Sequence, residues 1–411
     1  MNQFDVVIIG AGPSGSVSAS LLKKQGLKVC VLEKQHFPRF VIGESLLPYC
    51  MDILAEADLV EAVNAEKSFQ FKNGAAFTWG NRYTYFDFTD KFTAGPGTTF
   101  QVRRGIFDQI LIDETAKKGV DVRFGHEVLA FNNQGEQAVL EVKTEAGEVY
   151  QLKTKFVLDA SGYGRVLPRL LDLETPSHLP ARIAHFTHID DNICDPSFDR
   201  NKILITTHPH HRDVWLWLIP FADNRCSIGV VGLPETLAGD SESVLKKFAL
   251  EAPMLRRILA NANWDNEFPY RNIQGYSANV KSLHDRHFAL LGNAAEFLDP
   301  VFSSGVTIAL HSARLASRLI PRQLQGQLVD WQAEFANPLM VGVNAFRTYV
   351  NGWYDTRFQD VIYARHPQPE IRQMLSSILA GYAWDEKNPF VTKSEARLNA
   401  LAQLCGVATQ D

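Results

Sequence analysis

The chain has 411 residues, 45% hydrophobic and 21% charged, enough for two or three domains with substantial cores. A formal net charge of -5 offers no general basic field, which argues against nucleic acid as a partner, and no apolar run reaches the length of a membrane span. The N-terminus enters a strand with no signal-peptide pattern, and the five cysteines (Cys30, Cys50, Cys194, Cys226, Cys405) form no C-x-x-C pair, so a cytoplasmic protein without a disulfide framework or a zinc site is expected.

Phe4-Asp-Val-Val-Ile-Ile-Gly10-Ala-Gly12-Pro13-Ser14-Gly15 reads as a buried strand, a G-x-G-x-x-G turn and the opening of a helix. Lys28-Val-Cys-Val-Leu-Glu33 supplies a second strand ending in an acid. This order specifies a dinucleotide site. Gly10 permits the tight turn, Gly12 lets backbone N–H groups close on a pyrophosphate at the positive end of a helix, and Gly15 lets that helix pack on the strand. Glu33 can accept hydrogen bonds from both ribose hydroxyls and would repel a 2′-phosphate, which disfavours NADP. Pro13, Ser14 and Lys34 belong to the same candidate site, as do Arg39 and Ser45 in the following stretch Phe37-Pro-Arg39-Phe-Val-Ile-Gly43-Glu44-Ser45.

One apolar-periodic helix is expected through Met51, Ile53, Leu54 and Leu59, then antiparallel strands across 69–102, rich in aromatic residues and β-formers. A helix over about 105–118 precedes strands near 120–130, 138–144 and 149–155, and Phe156-Val-Leu-Asp159-Ala-Ser-Gly162 reads as a separate buried strand ending in a turn. Residues 182–232 alternate as sheet. Phe288 to Ala295 repeats the strand-to-glycine pattern at Gly292-Asn293 and enters a helix near 303–320; the tail beyond 328 reads as helical. The expected fold is therefore α/β: a Rossmann-like module built from 1–68, 103–180 and 280–325, interrupted by an antiparallel β-sheet substrate module from 69–102 and 181–279, with a helical C-terminal region over 326–411. His185 and His188, three apart on a strand, fall on opposite faces. His208, His210 and His211 read as a polar hairpin rather than a metal site, because no carboxylate partner pattern accompanies them.

Four segments in this order carry a family resemblance: Gly10 to Glu33, Arg104-Gly-Ile-Phe107-Asp108, Asp159-Ala-Ser-Gly162, and Gly292-Asn293-Ala-Ala295. Over about 1–325 the chain resembles the FAD-dependent group of aromatic hydroxylases, geranylgeranyl reductases and flavin-dependent halogenases, and most of all its halogenase branch. The resemblance implies an FAD module of the aromatic hydroxylase type. In it Arg104 approaches the phosphate and ribityl region, and the Asp159 to Gly162 turn lies beside the pyrophosphate. Asn293 stands where relatives carry an acid on a ribityl hydroxyl, keeping that hydrogen bond in neutral form.

Three further segments resemble halogenase signatures. Phe297-Leu-Asp-Pro300-Val-Phe302-Ser303-Ser304-Gly305-Val306 matches F-x-x-P-x-x-S-x-G. Pro300 fixes that loop, and residues 303–305 bring backbone N–H groups to a helix N-terminus under the flavin ring, a nest for halide at Ser304 and Gly305 or for the charge of reduced flavin. Phe302 stands where relatives acting on free tryptophan carry glutamate, which implies a phenol or a carrier-bound ring. Val214-Trp215-Leu-Trp217-Leu-Ile219-Pro220 resembles G-W-x-W-x-I-P, with Val214 in the glycine's place. Its two indoles share a strand face and are expected to stand between flavin and substrate. Lys72, within Phe69-Gln-Phe-Lys72-Asn-Gly74-Ala-Ala-Phe77, matches a lysine that captures hypohalous acid and passes electrophilic halogen to a ring. Phe71 and Phe77 are expected to depress its pKa.

The implied activity takes reduced FAD, oxygen and chloride or bromide to an electron-rich aromatic substrate, free or tethered to an acyl carrier protein. The reduced FAD would come from a separate NAD(P)H-dependent flavin reductase. The alternative is a FAD-dependent monooxygenase, dehydrogenase or polyene/isoprenoid reductase working without halide.

Overall fold

Val6, Val7, Ile8 and Ile9 are buried on both sides of the first strand, as a central parallel strand requires. In the computed structural model, which describes residues 3–177, 179–276, 279–296, 298–364 and 368–407, this strand (Gln3–Ile9) lies inside an eight-stranded sheet. Its main path runs His284–Asp285, Phe288–Leu290, Val149–Asp159, Gln3–Ile9, Val29–Glu33, Asp121–Phe124. The pairs around the first strand are parallel, in register Ile8 with Val31 and Ile8 with Leu158. Helices Pro13–Lys24 and Ser304–Leu324 cover one face through the main hydrophobic core.

Two expectations about these elements change. The strands expected at 149–155 and 156–159 are one strand, Val149–Asp159. Its first part pairs antiparallel with Ala138–Thr144 and its last part parallel with Gln3–Ile9, and no breaker interrupts it. The helix expected through Met51 to Leu59 is Tyr49–Glu56, ending before Asp58, which takes a left-handed conformation at φ +53°; a further helix, Val60–Ala65, follows.

A second, seven-stranded sheet has the order Arg271–Gln274, Ile183–Asp190, Arg225–Gly232, Trp215–Pro220, Lys202–Thr207, Gly74–Trp79, Arg82–Asp87. Contrary to a wholly antiparallel reading, Gly74–Trp79 pairs parallel with Lys202–Thr207. The chain between them passes through the other sheet, so the close hairpin that enforces antiparallel pairing is absent. Alternation divides the faces of Trp215–Pro220. Trp215, Trp217 and Ile219 join the main core, while Leu216 and Leu218 pack with helices Ser241–Glu251 and Pro253–Ile258. Lys72 belongs to neither large sheet; its strand Gln70–Lys72 pairs only with Thr99–Gln101. Helices Asn337–Tyr354, Arg357–Ile362 and Pro369–Leu379 follow, burying Phe346, Tyr349, Trp353 and Phe358. Among the described residues no helix is long and apolar enough to cross a membrane.

Candidate active site

The nucleotide end is set by glycines that admit no side chain. Gly10 has φ +98°, and a Cβ on it would lie 2.6 Å from the Ala160 carbonyl oxygen; a Cβ on Gly15 would lie 2.0 Å from the Gly10 carbonyl oxygen. Helix Pro13–Lys24 begins with Pro13 in its first turn and no side-chain cap from Gly12, leaving its N-terminal N–H groups toward a cavity of about 760 Å³, within the size range of cofactor sites. Gly10, Gly12, Pro13 and Ser14 line that cavity. Arg39 reaches over the turn, its Nη2 lying 3.8 Å from where a Gly12 Cβ would be, and its buried Nε has no partner among the described residues. Glu33 receives the Ala11 N–H on Oε2 and the Gln35 N–H on Oε1, each at 2.9 Å, and a carboxylate retains lone pairs for ribose hydroxyls beyond these. Lys34 lines the cavity but is largely exposed and paired with Glu127 at 2.6 Å.

Further along, Ser45, Arg104, Gly162 and Asn293 line the same cavity, followed by Pro300, Ser303, Gly305 and Val306. Arg104 differs from expectation in its charge balance. It is buried and doubly paired with Asp108, Nε to Oδ1 at 2.8 Å and Nη2 to Oδ2 at 3.0 Å, and its Nη1 donates to the Ile42 carbonyl at 3.1 Å. Its guanidinium thus holds the 42–43 loop; Arg39 Nη1 lies 3.4 Å from the same Asp108, so the two arginines on the cavity wall share that carboxylate.

Gly15, Asp159, Gly292 and Ser304 do not line the cavity. Asp159 is buried beneath the turn, accepting the Ser161 N–H at 2.9 Å and the Leu167 N–H at 2.7 Å, so it shapes the loop instead of facing a phosphate. Gly292, at φ +51°, donates its N–H to Ser312 Oγ at 3.0 Å; a Cβ there would lie 2.7 Å from Ala309 Cβ, so its bareness seats helix Ser304–Leu324. Ser304 is the buried first residue of that helix, and Ser303 before it takes φ +56° and gives no side-chain cap. The N–H groups of Ser304 and Gly305 therefore stand at an uncapped helix start, with Gly305 on the cavity wall.

Trp215 and Trp217 are buried neighbours on one face, ring centroids 5.9 Å apart, and both line the large cavity. Trp217 lies against Gly229 across the strand pair, where a Cβ would be 2.3 Å from its ring. Gly229→Ala is expected to cost about 1–3 kcal/mol through overpacking. Thermal unfolding checks this, and a Tm within about 1 °C of wild type counts against it. Val214, the departure from the signature, points into the opposite core with Leu237 and Val230, so it leaves the cavity face untouched.

Lys72 lines a second, small chamber with about 10 Å³ for the centre of a water molecule, room for roughly one water. Its ammonium is completely buried, donates to Ser45 Oγ and to the Leu46 carbonyl, each at 2.7 Å, and is pushed down to about 7 by burial. Phe77 and Phe88 line this chamber; Phe71, expected to help, is 44% exposed. The indoles line the large cavity and not the space around Lys72. Ile203 and Ser303 are the residues common to both spaces. Phe297, which opens the signature, lies outside the described residues.

The family described as "FAD binding domain" matches residues 3–332. The chain is 33% identical over 341 residues to a 1H-pyrrole-2-carbonyl-(peptidyl-carrier protein) chlorinase of Pseudomonas fluorescens, covering 77% of this chain and 75% of that protein. The chain belongs to the flavin-dependent halogenase family. Two solved structures are similar along nearly their whole length. A flavoprotein/dehydrogenase from Cytophaga hutchinsonii has TM-score 0.94 and 40% identity, with 99% of this chain and 100% of that chain covered. The flavin-dependent brominase Bmp2 has TM-score 0.82 and 25% identity, with 98% and 99% covered.

In this halogenase-family chain FAD is the cofactor, and the donor set fits it: a helix N-terminus and Arg39 for the pyrophosphate, Glu33 for the ribose, and an apolar slab of Ala184, Phe186, Ile219 and Ile273 for the ring. His185 and His188 do lie on opposite faces. His185 meets Ser241 Oγ and the Leu237 carbonyl, whereas His188 Nε2 lies 2.8 Å from Glu44 Oε1 beside the cavity. His208, His210 and His211 do lie in the loop joining the antiparallel strands Lys202–Thr207 and Trp215–Pro220; His208 is buried, with Glu251 at 3.1 Å as the carboxylate partner that no local pattern announces. Burial pushes His208 down to about 4. Among the described residues no cluster of three or more His, Cys, Asp or Glu could hold a metal ion. Sequence reasoning missed Glu44, Ile203, Asp299 and Tyr354. For Asp299 a signal existed, an acid directly before the signature proline.

Proposed function

We propose that this protein halogenates a small electron-rich aromatic acyl group carried on a carrier protein, using reduced FAD delivered by a separate NAD(P)H-dependent flavin reductase. One observation carries the reading: a fully buried lysine amine beside Ser303, in an apolar chamber adjoining the flavin cavity. Leu47, Phe77, Phe88, Ile205, Phe302 and Leu379 around the amine carry no side-chain charge for a free amino acid's carboxylate or ammonium, which favours an uncharged ring presented from outside this one-water space. The carrier-bound pyrrole in the name of the Pseudomonas relative supports the same class. The discontinuous assembly of 1–68, 103–180 and 280–325 into the cofactor module, with 69–102 and 181–279 as substrate module and 326–411 as helical closure, belongs to this proposal.

Bound FAD, reduced and supplied with oxygen and halide, is the source of hypohalous acid. The Ser304 and Gly305 N–H groups hold the halide at the helix start. Lys72, in its neutral form, attacks the halogen of hypohalous acid, giving an N–X bond and water; the ring then takes X⁺ from nitrogen and loses a proton. Ser45 and the Leu46 carbonyl orient the amine. Because the neutral form is the nucleophile, the halogenation rate is expected to rise about tenfold per pH unit below about 7 and level off above it. A pH profile on purified enzyme with excess reduced FAD checks this; a flat profile from pH 5.5 to 8 overturns the role of the free amine.

The assay is purified protein with FAD, a flavin reductase, NADH, oxygen and bromide or chloride, over a panel of carrier-tethered aryl groups and free phenols. Likeness to a flavoprotein/dehydrogenase favours the second reading, a monooxygenase, dehydrogenase or polyene/isoprenoid reductase without halide. That reading wins if halide never alters the product while hydroxylated, desaturated or saturated material accumulates.

A further inference from the structure

Tyr354 ends helix Asn337–Tyr354 and joins two signatures that are distant in sequence. Its hydroxyl oxygen accepts the Trp215 Nε1–H at 2.9 Å, and the hydroxyl donates to Asp299 Oδ2 at 2.8 Å. The other oxygen of Asp299 accepts the Val301 N–H at 3.0 Å, capping the 3-10 turn Pro300–Phe302 that leads into Ser303. The preceding residue makes a second contact with the same turn: Trp353 stands edge-on to Phe302, ring centroids 5.8 Å apart. The Arg182 guanidinium lies 3.3 Å over the Tyr354 ring centroid, which holds the ring from its face.

We propose that Tyr354 is a positioning residue, and that Asp299, Tyr354 and Trp215 form a latch through which the C-terminal helices set the indole wall against the halide-side turn. The proposal rests on the halogenase reading above and deepens it. Pro300, Ser303 and Trp215 all face the flavin cavity, whereas Asp299 and Tyr354 lie behind them, so the latch acts through those groups. With the turn and the indole held together, hypohalous acid is confined on its way to Lys72; with the latch broken, either wall can move and the oxidant escapes.

The latch also has a switchable member. The groups facing Asp299 are Tyr354, Tyr276, Tyr163 and Arg182, and Arg182 is the one cation among these four. Burial pushes the Asp299 carboxyl up to about 6, against the opposing pull of its hydrogen bonds and Arg182. Above that pH the carboxylate only accepts, and the Tyr354 oxygen remains free for the indole N–H. Below it the carboxylic acid donates to the same Tyr354 oxygen and competes with Trp215.

The test uses the full chain in four forms: wild type, Tyr354→Phe, Asp299→Asn and Trp215→Phe. Without flavin, wild-type tryptophan emission is expected to change with a midpoint near pH 6. Trp215→Phe should lose the change, which assigns it to that indole, and Tyr354→Phe and Asp299→Asn should lose it as well. With flavin, Tyr354→Phe is expected to lower the ratio of ring product to leaked hypohalous acid, trapped with monochlorodimedone, by about tenfold, with FAD affinity within about twofold of wild type. A pH transition that persists in Tyr354→Phe, or an unchanged product-to-leak ratio, overturns the latch. If Tyr354→Phe does not fold, Asp299→Asn, which keeps the side-chain volume and places an amide donor against the Tyr354 oxygen, must shift the ratio the same way or the proposal fails. A wild type that forms no hypohalous acid sinks the halogenase reading, while the emission titration still decides the latch.

Discussion

Lys72→Met is expected to remove ring halogenation, by about a thousandfold or more, while FAD binding stays within about twofold of wild type. Lys72 lines the small chamber and not the large cavity, so its loss takes away the halogen carrier and reaches the cofactor walls only through its hydrogen bond to Ser45 Oγ. The same variant carries a stability signature of definite sign. Burial lowers the amine from its ordinary 10.5 to about 7, so the unfolded chain binds the extra proton between those values. Stability contributed by the neutral amine is present above about 10.5 and is lost as pH falls toward 7, below which the penalty is complete. That penalty is on the order of 5 kcal/mol at pH 6, set against two lost hydrogen bonds of about 1 kcal/mol each in the variant. Lys72→Met should therefore be the more thermostable protein at pH 6, with an advantage smaller by about 2–3 kcal/mol at pH 9. Denaturant unfolding at the two pH values measures this. A variant that retains halogenation, or whose advantage grows with pH, contradicts the assignment.

Gly15→Ala is expected to abolish FAD binding, weakening it by about a hundredfold or more, which is about 2.7 kcal/mol. The added Cβ would stand 2.0 Å from the Gly10 carbonyl oxygen. Gly10 cannot yield, because its φ of +98° and its closeness to Ala160 hold it on the other side. Helix Pro13–Lys24 must back away, and its N-terminal N–H groups leave the pyrophosphate. Titration of apoprotein with FAD, read by flavin fluorescence, checks the loss. Gly12→Ala is the informative control: a Cβ there meets nothing nearer than Arg39 Nη2 at 3.8 Å, so its effect reports ligand crowding alone.

The nucleotide module was legible because its constraints are local. Gly15 is required by the Gly10 carbonyl five residues earlier, the left-handed φ of Gly10 is a property of the turn itself, and a strand buried on both faces shows as an unbroken apolar run. The shared face of Trp215 and Trp217 followed from strand periodicity alone. Reading went wrong where partners were remote. Phe71 sits beside Lys72 in sequence yet points to solvent, because a short ribbon, and not the large sheet, carries the lysine. His208 found its carboxylate on a helix forty-odd residues away.

The amino-acid order by itself determined the FAD turn, the strand faces and the residue types at the reaction site, since each depends on interactions within a turn or a strand period. The tertiary structure alone decided that Lys72 is desolvated, that Ile203 and Ser303 divide its chamber from the flavin cavity, and that Tyr354 ties Asp299 to Trp215. Desolvation and enclosure are properties of everything packed around a group, and that packing comes from segments hundreds of residues apart, whose proximity no local pattern encodes.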